Sequence, residues 1–173
     1  MEADLNTRTQ LTLFVPEPTA STLDRVRRVL DPVQLGLIRA HVTLCREDEI
    51  AHLTRDAIAA RLAGSPVRAL TLRFGQAEPV SEHGILLPCI DGEPGFQALR
   101  EHVLGSRAIR RSSAHITLAH PRNPKAMGND MATARALPPQ LAITFAHASL
   151  VEQTGNSAWH VLGTFALGSA ERP

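Results

Sequence analysis

One short pattern occurs twice in this chain: Ala-His-Val-Thr-Leu at 40–44 and Ala-His-Ile-Thr-Leu at 114–118, with His41 and His115 74 positions apart. In both copies a β-branched residue separates histidine from threonine, and the two-residue period makes each copy a β-strand. Side chains at i and i+2 of a strand share a face. His41 therefore stands beside Thr43 and His115 beside Thr117, while Val42, Leu44, Ile116 and Leu118 turn to the opposite side. Such a strand has one face to bury and one polar face to keep open. Two of them demand two related halves, each with its own sheet and its own cover.

The flanking sequence supplies those covers. Residues 11–15 read as a strand closed by Pro16-Glu17-Pro18, and a helix follows, capped by Thr19 or Ser21 and carrying Leu23, Val26, Val29 and Leu30 until Asp31-Pro32 ends it. The first motif strand spans 40–45. One helix then runs from Asp48 through Ile50, Leu53, Ile58 and Leu62 to Gly64-Ser65-Pro66. Residues 67–74 and 84–90 read as strands, 91–95 as a breaker and 96–104 as a third helix. The second motif strand at 114–119 leads into a loop at 121–128 and a short helix at 130–137. Residues 141–151 and 159–167 form a hairpin about Thr154-Gly155-Asn156, and the tail from Gly168 is expected to be disordered. This order predicts an α+β protein in which residues 1–173 make one folding unit of two similar lobes.

Charge and composition narrow the function classes. A formal charge of +1 over 173 residues gives no basis for holding long duplex nucleic acid, which requires many phosphates to be neutralised at once. A small anion or a nucleic-acid end is compatible. Cys45 and Cys89 sit among apolar neighbours and read as reduced thiols, no His and Cys spacing suggests zinc, and no apolar run is long enough to span a bilayer. With no leader-type segment ahead of the first apolar run, the expectation is a cytoplasmic monomer without metal or other cofactor.

Paired His-x-Thr strands suit acid-base chemistry at phosphorus. One neutral imidazole takes a proton from the attacking oxygen while the other, as imidazolium, gives one to the leaving oxygen. The threonine hydroxyls donate to the non-bridging oxygens. A single His-x-Thr carries little information; a duplication kept for structure alone would preserve the apolar face without the polar one. Cys45 shares parity with His41 and Thr43, which would suit a nucleophile. The matching position in the second copy is Ala119, so the site calls for a small residue and not a thiol. His52, His83, His102, His147 and His160 have no partner at a diagnostic spacing.

With these motifs the chain resembles the 2H phosphoesterase superfamily, which includes the bacterial 2'-5' RNA ligase-like proteins and the RNA 2',3'-cyclic phosphodiesterases. The resemblance rests on His41-Val42-Thr43-Leu44, His115-Ile116-Thr117-Leu118 and their spacing. It extends to the opening strand and to the closing hairpin with Leu150-Val151 and Trp159-His160-Val161. It implies a bilobal α+β fold of two pseudo-symmetric antiparallel-sheet-plus-helix lobes around a central cleft, with metal-free action on cyclic phosphodiesters or 2'-5' linkages. His41, Thr43, His115 and Thr117 become the catalytic set, with His115 read as the base and His41 as the acid. Arg46 lies where relatives often carry a basic residue, but the equivalent place after His115 is His120, and Arg122 is a candidate substitute charge. Phe14 offers a ring for base stacking, with core packing as the competing role.

The leading expectation is hydrolysis of 2',3'-cyclic phosphates on RNA ends or nucleotides to 2'-phosphates. Reversible 2'-5' ligation is a second activity of the same site, and ADP-ribose 1'',2''-cyclic phosphate is another candidate substrate. The competing class is a non-catalytic module that binds nucleotides or RNA ends. Specificity is expected from loops 75–83, 91–95 and 121–129.

Overall fold

The computed structural model describes residues 6–170. In chain order the elements are β1 (Thr7–Phe14), α1 (Thr19–Leu30), α2 (Pro32–Leu37), β2 (His41–Cys45), α3 (Glu47–Ile50), α4 (Arg55–Ala63), β3 (Leu70–Phe74), β4 (Glu78–Val80) and β5 (Gly84–Asp91). There follow α5 (Glu93–Leu104), β6 (His115–Ala119), α6 (Met131–Arg135), β7 (Leu141–Phe145), β8 (His147–Thr154) and β9 (His160–Ala166). Two antiparallel sheets result. One has the order β2-β1-β8-β9; in the other β5 carries β6, β4 and β3, and β3 carries β7. This is the α+β, two-sheet arrangement that the paired motif requires.

The duplication reaches well beyond the pentapeptide. Phe14 pairs with His41, Leu13 with Val42, Thr12 with Thr43 and Leu11 with Cys45; Pro88 pairs with His115, Leu87 with Ile116, Leu86 with Thr117 and Ile85 with Ala119. Every residue of the second set lies 74 positions after its counterpart, and so do the ends of α5 relative to those of α1. Even the register shifts correspond, between Leu11 and Thr12 and between Ile85 and Leu86. A β-bulge twists its strand and re-aims side chains, so the same bulge at both places turns both motif strands alike.

Both motif strands lie at a sheet edge, and they face each other where the lobes meet. Helix α1 packs against β6 and α5 against β2, so each lobe's helix supports the other lobe's motif strand. The apolar faces behind them merge: Leu11, Leu13, Val42, Leu44, Ile85, Leu87, Ile116 and Leu118 belong to one buried cluster with Leu23, Phe74, Phe96, Leu99 and Phe145.

Several boundaries depart from the sequence reading. Neither Thr19 nor Ser21 caps α1, whose first turn is held by the Glu17 carboxylate accepting from Ser21 N and Oγ at 3.1 and 2.8 Å. Asp31-Pro32 starts a helix as well as ending one: Asp31 caps α2 by accepting from Gln34 N at 2.9 Å, and proline suits the first helical position because its missing N–H has no partner there. The single helix expected from Asp48 is two, because Thr54 Oγ1 accepts from Ala57 N at 3.1 Å and starts α4 afresh. Residues 78–80, expected as turn, form the short β4.

Residues 141–151 are not one strand. The chain leaves one sheet after Phe145 and enters the other at His147, and the buried set shifts parity there, from Ile143 and Phe145 to Ala148 and Leu150. The tail is ordered further than expected. Gly168 N donates to Leu62 O and Ala170 N to Ala63 O, both at 2.9 Å, while residues 171–173 lie outside the described residues.

Candidate active site

His41, Thr43, His115 and Thr117 line a single cavity of about 390 Å³ between the lobes. Each histidine is fixed in the same way. His41 Nδ1 lies 2.7 Å from Arg39 O and His115 Nδ1 lies 2.9 Å from Ser113 O. A carbonyl only accepts, so Nδ1 carries the proton in both rings and Nε2 is the nitrogen left to the cavity. The residue before each histidine is held by a carboxylate from a helix of the same half: Ala40 N donates to Asp24 of α1 at 3.1 Å and Ala114 N to Glu93 of α5 at 3.1 Å. The Thr43 and Thr117 hydroxyls have no protein partner among the described residues and remain free to donate into the cavity.

The two rings differ in their surroundings. Burial pushes His41 down to about 4, with the nearby Arg27 and His115 charges adding to the effect and the Arg39 carbonyl opposing it. His41 is therefore neutral near pH 7. Arg27 is itself fully buried; it donates to Ile38 O at 2.8 Å and pairs with Asp24 at 3.0 Å.

Two clamps tie the lobes at this point, and they correspond across the repeat. Arg46 N donates to Glu49 at 2.8 Å, and Glu49 is gripped at 2.6 Å by the buried Arg100 of α5, which also donates to Leu44 O on β2 and to Arg110 O. His120 N, the counterpart of Arg46 N, donates to the buried Asp31 at 2.8 Å, and Asn123 Nδ2 donates to the same carboxylate at 2.9 Å. Each motif strand thus ends on a carboxylate that bridges the halves: Glu49 belongs to the strand's own half and is held by Arg100 of the other, whereas Asp31 is itself supplied by the other half.

Arg46, His120 and Arg122 all border the cavity. Arg122 N donates to His120 Nδ1 at 3.1 Å, which leaves Nε2 as the protonated nitrogen. Burial, reinforced by the Arg122 charge, pushes His120 below its ordinary value, so it stands as a neutral donor. Phe14 does not reach the cavity. Its ring meets His41 edge-on, with centroids 6.4 Å apart, and lines a separate shallow groove with Val15, Phe145 and Val161. Cys45 is buried and pushed up to about 12 by desolvation, which removes it as a nucleophile. His83 and His102 bond to the Asn123 and Arg61 carbonyls. Among the described residues no group of three or more His, Cys, Asp or Glu is arranged to hold a metal ion, and no helix is long and apolar enough to cross a membrane.

Of the loops expected to shape specificity, only 121–129 contributes to the cavity wall, through Arg122 and Asn123; 93–95 is the first turn of α5. The rest of the wall comes from places the sequence reading passed over: Arg8 and Gln10 on β1, Gln34 and Leu37 on α2, and Gln153, Asn156 and Trp159 on the closing hairpin. The polar alternation Arg8-Gln10-Thr12 was the available signal, since it extends β1 ahead of Leu11 with a second polar face.

The architecture defines a class of protein: a two-lobed α+β chain in which each lobe contributes one His-x-Thr edge strand to a shared cleft. No protein-family model matches the sequence, and no curated protein does. Solved structures do, and they establish the fold. E. coli LigT complexed with NADP+ is 17% identical, covering 94% of this chain and 98% of that one at a TM-score of 0.56. TT0787 of Thermus thermophilus is 21% identical, covering 95% and 100% at 0.56. A structure described as a phosphoesterase is 18% identical, covering 94% and 99% at 0.54. E. coli LigT has also been solved with phosphate and with 3'-AMP.

Proposed function

We propose that this chain is a metal-independent phosphodiesterase of the 2H type that hydrolyses 2',3'-cyclic phosphates of nucleotides or RNA ends. The observation that carries the reading is the matched pair of imidazoles, each with Nδ1–H committed to a backbone carbonyl and Nε2 left to one cavity. Two fixed rings of this kind serve as base and acid on opposite sides of one phosphorus. The phosphate and 3'-AMP complexes of E. coli LigT, which shares the fold, agree with a groove that accepts a nucleotide phosphate.

His41, kept neutral by burial, is the base, and His115 the acid; this reverses the order that the family resemblance implied. His41 Nε2 takes a proton from water as the water oxygen bonds to phosphorus. The bond from phosphorus to the ribose 3'-oxygen breaks, and His115, entering the step as the imidazolium, delivers its Nε2 proton to that oxygen and keeps the Nδ1 proton on Ser113 O, leaving a 2'-phosphate. The Thr43 and Thr117 hydroxyls donate to the non-bridging oxygens, where charge builds up in the transition state. His120 Nε2–H and the Arg46 and Arg122 guanidiniums add positive potential at the rim.

The test is turnover of a 2',3'-cyclic nucleotide in EDTA by the native chain and by His41→Ala and His115→Ala. Both variants are expected to lose activity on the cyclic substrate. A nitrophenyl phosphodiester needs no acid at its leaving group, so His115→Ala should retain activity there that His41→Ala lacks. EDTA sensitivity would overturn the metal-free mechanism. Tight nucleotide binding without turnover from pH 4 to 8 would instead identify a binding module.

A further inference from the structure

The catalytic cavity does not end at Thr43. It opens into a second cavity of about 650 Å³, and Arg8, Gln10, Thr43, Arg46, His120, Arg122 and Trp159 line both. Three guanidiniums border this junction. Five arginines, Arg27, Arg39, Arg73, Arg100 and Arg110, lie within 4.0 Å of a carboxylate; what sets the junction apart is that three border one cavity wall there. Arg8, Arg46 and Arg122 have no carboxylate partner among the described residues.

Arg8 is nevertheless fixed. Its Nε donates to Gln153 Oε1 at 2.9 Å, Gln153 in turn donates to Ser157 O at 2.6 Å, and the guanidinium lies over the Trp159 ring at 5.1 Å. A charged group ordered by a buried amide and a ring face, yet left without an anion, is set up to receive one.

We infer that the groove holds two phosphates, the reacting one between the histidines and a second at Arg8, Arg46 and Arg122, so that its substrates are nucleotides carrying another phosphate one nucleoside away. This rests on the phosphodiesterase reading. The spacing suits it: Arg46 follows Thr43 by three residues of extended chain, about 10 Å at strand rise, a span of the order of one nucleoside. The far end of the second cavity is acidic, formed by Glu47 and Asp48, with Asp48 partly engaged by Arg110 at 3.2 Å. Those carboxylates repel a third phosphate. The site is therefore built for one additional phosphate and not for a long strand, in keeping with a formal charge of only +1.

The experiment compares kcat/KM of the full chain on adenosine 2',3'-cyclic phosphate, on the same compound with a 5'-phosphate, and on di- and trinucleotides ending in adenosine 2',3'-cyclic phosphate. The second phosphate should raise kcat/KM about tenfold, the scale of one charge-assisted contact, whether it is a 5'-phosphate or an internucleotide link. The trinucleotide should add nothing further. Arg8→Gln and Arg122→Gln should each shrink that gain, and added salt should shrink it in the native chain. Equal kcat/KM with and without the 5'-phosphate overturns the second site, as does a continued rise with length. If no compound is turned over, the phosphodiesterase reading fails by itself. Calorimetry then decides the second site: adenosine 3',5'-bisphosphate binding about tenfold more tightly than adenosine 3'-monophosphate sustains it, and equal affinity overturns it.

Discussion

Burial of His41 makes the fold acid-sensitive in a defined window. An unfolded chain protonates this ring near its ordinary value of 6.5, whereas the native chain resists protonation down to about 4. Between those values the unfolded state binds more protons than the native one, so stability falls as pH falls. Above 6.5 both states are neutral and the effect vanishes; below 4 it has reached its full extent. At about 1.4 kcal/mol per pH unit the interval amounts to roughly 3–4 kcal/mol at most, less whatever solvent in the open cleft screens. That is a large part of the 5–15 kcal/mol typical of a domain. Urea denaturation at pH 7, 6, 5 and 4 on the native chain and on His41→Gln measures it. Gln has no proton to gain, and its amide can still donate to Arg39 O. Carboxylates held below their ordinary values, such as Glu49 and Asp130, titrate in both proteins and cancel. The native chain should lose about 2–3 kcal/mol more than the variant between pH 7 and 4. Parallel curves would refute the desolvated, neutral His41, and the assignment of His41 as base with it.

Three further outcomes follow from the same surroundings. Arg27→Met removes a cation that disfavours the His41 imidazolium and frees Asp24, which favours it, so a histidine NMR titration should show the His41 pKa rise; no change would leave burial as the only cause. Arg100→Leu strands the Glu49 carboxylate and two carbonyls at the lobe junction, and should cost about 3–5 kcal/mol in denaturant unfolding; a loss under 1 kcal/mol would show that the clamp is not needed. Cys45 should resist thiol reagents in the native protein at pH 8 and react once urea unfolds it, and fast native labelling would contradict its burial.

What the sequence disclosed depended on period and duplication. The two motif strands, the parity that sets His41 with Thr43 and His115 with Thr117, and the α+β order were legible because each is a local pattern repeated. What failed was context. Asp31-Pro32 carries the signals for ending one helix and for starting the next, and only the register of the following residues separates them. Residues 141–151 read as one strand because apolar density does not reveal a change of sheet; the parity shift at Ala146 does. For Phe14, read as either a stacking ring or a core residue, aromatic character does not say which side of His41 the ring occupies. Arg27 and Arg100 were illegible, since an arginine on an amphipathic helix reads as solvated until folding brings it the carbonyls it must satisfy, Ile38 O for Arg27 and Leu44 O and Arg110 O for Arg100.

The 74-residue symmetry also bears on the direction of the proposed proton transfer. Strand register, bulge, Nδ1 contact and the helix carboxylate at the preceding N–H are matched between the copies, so local geometry alone would make the two histidines interchangeable. Proton transfer needs them unlike: one neutral, one charged. The difference comes from one step outside the repeat unit's backbone, where the copies diverge. The first repeat buries Arg27 near its histidine, and the corresponding position in the second, 101, is a glutamate; after the strands, Arg46 corresponds to His120. Under the proposed mechanism, duplication supplies two like grips on a phosphate, and the substitutions around them are what would distinguish the accepting end from the donating one. The same divergence leaves Arg46, Arg8 and Arg122 gathered on one side of the cleft, the side to which the second phosphate is proposed to bind.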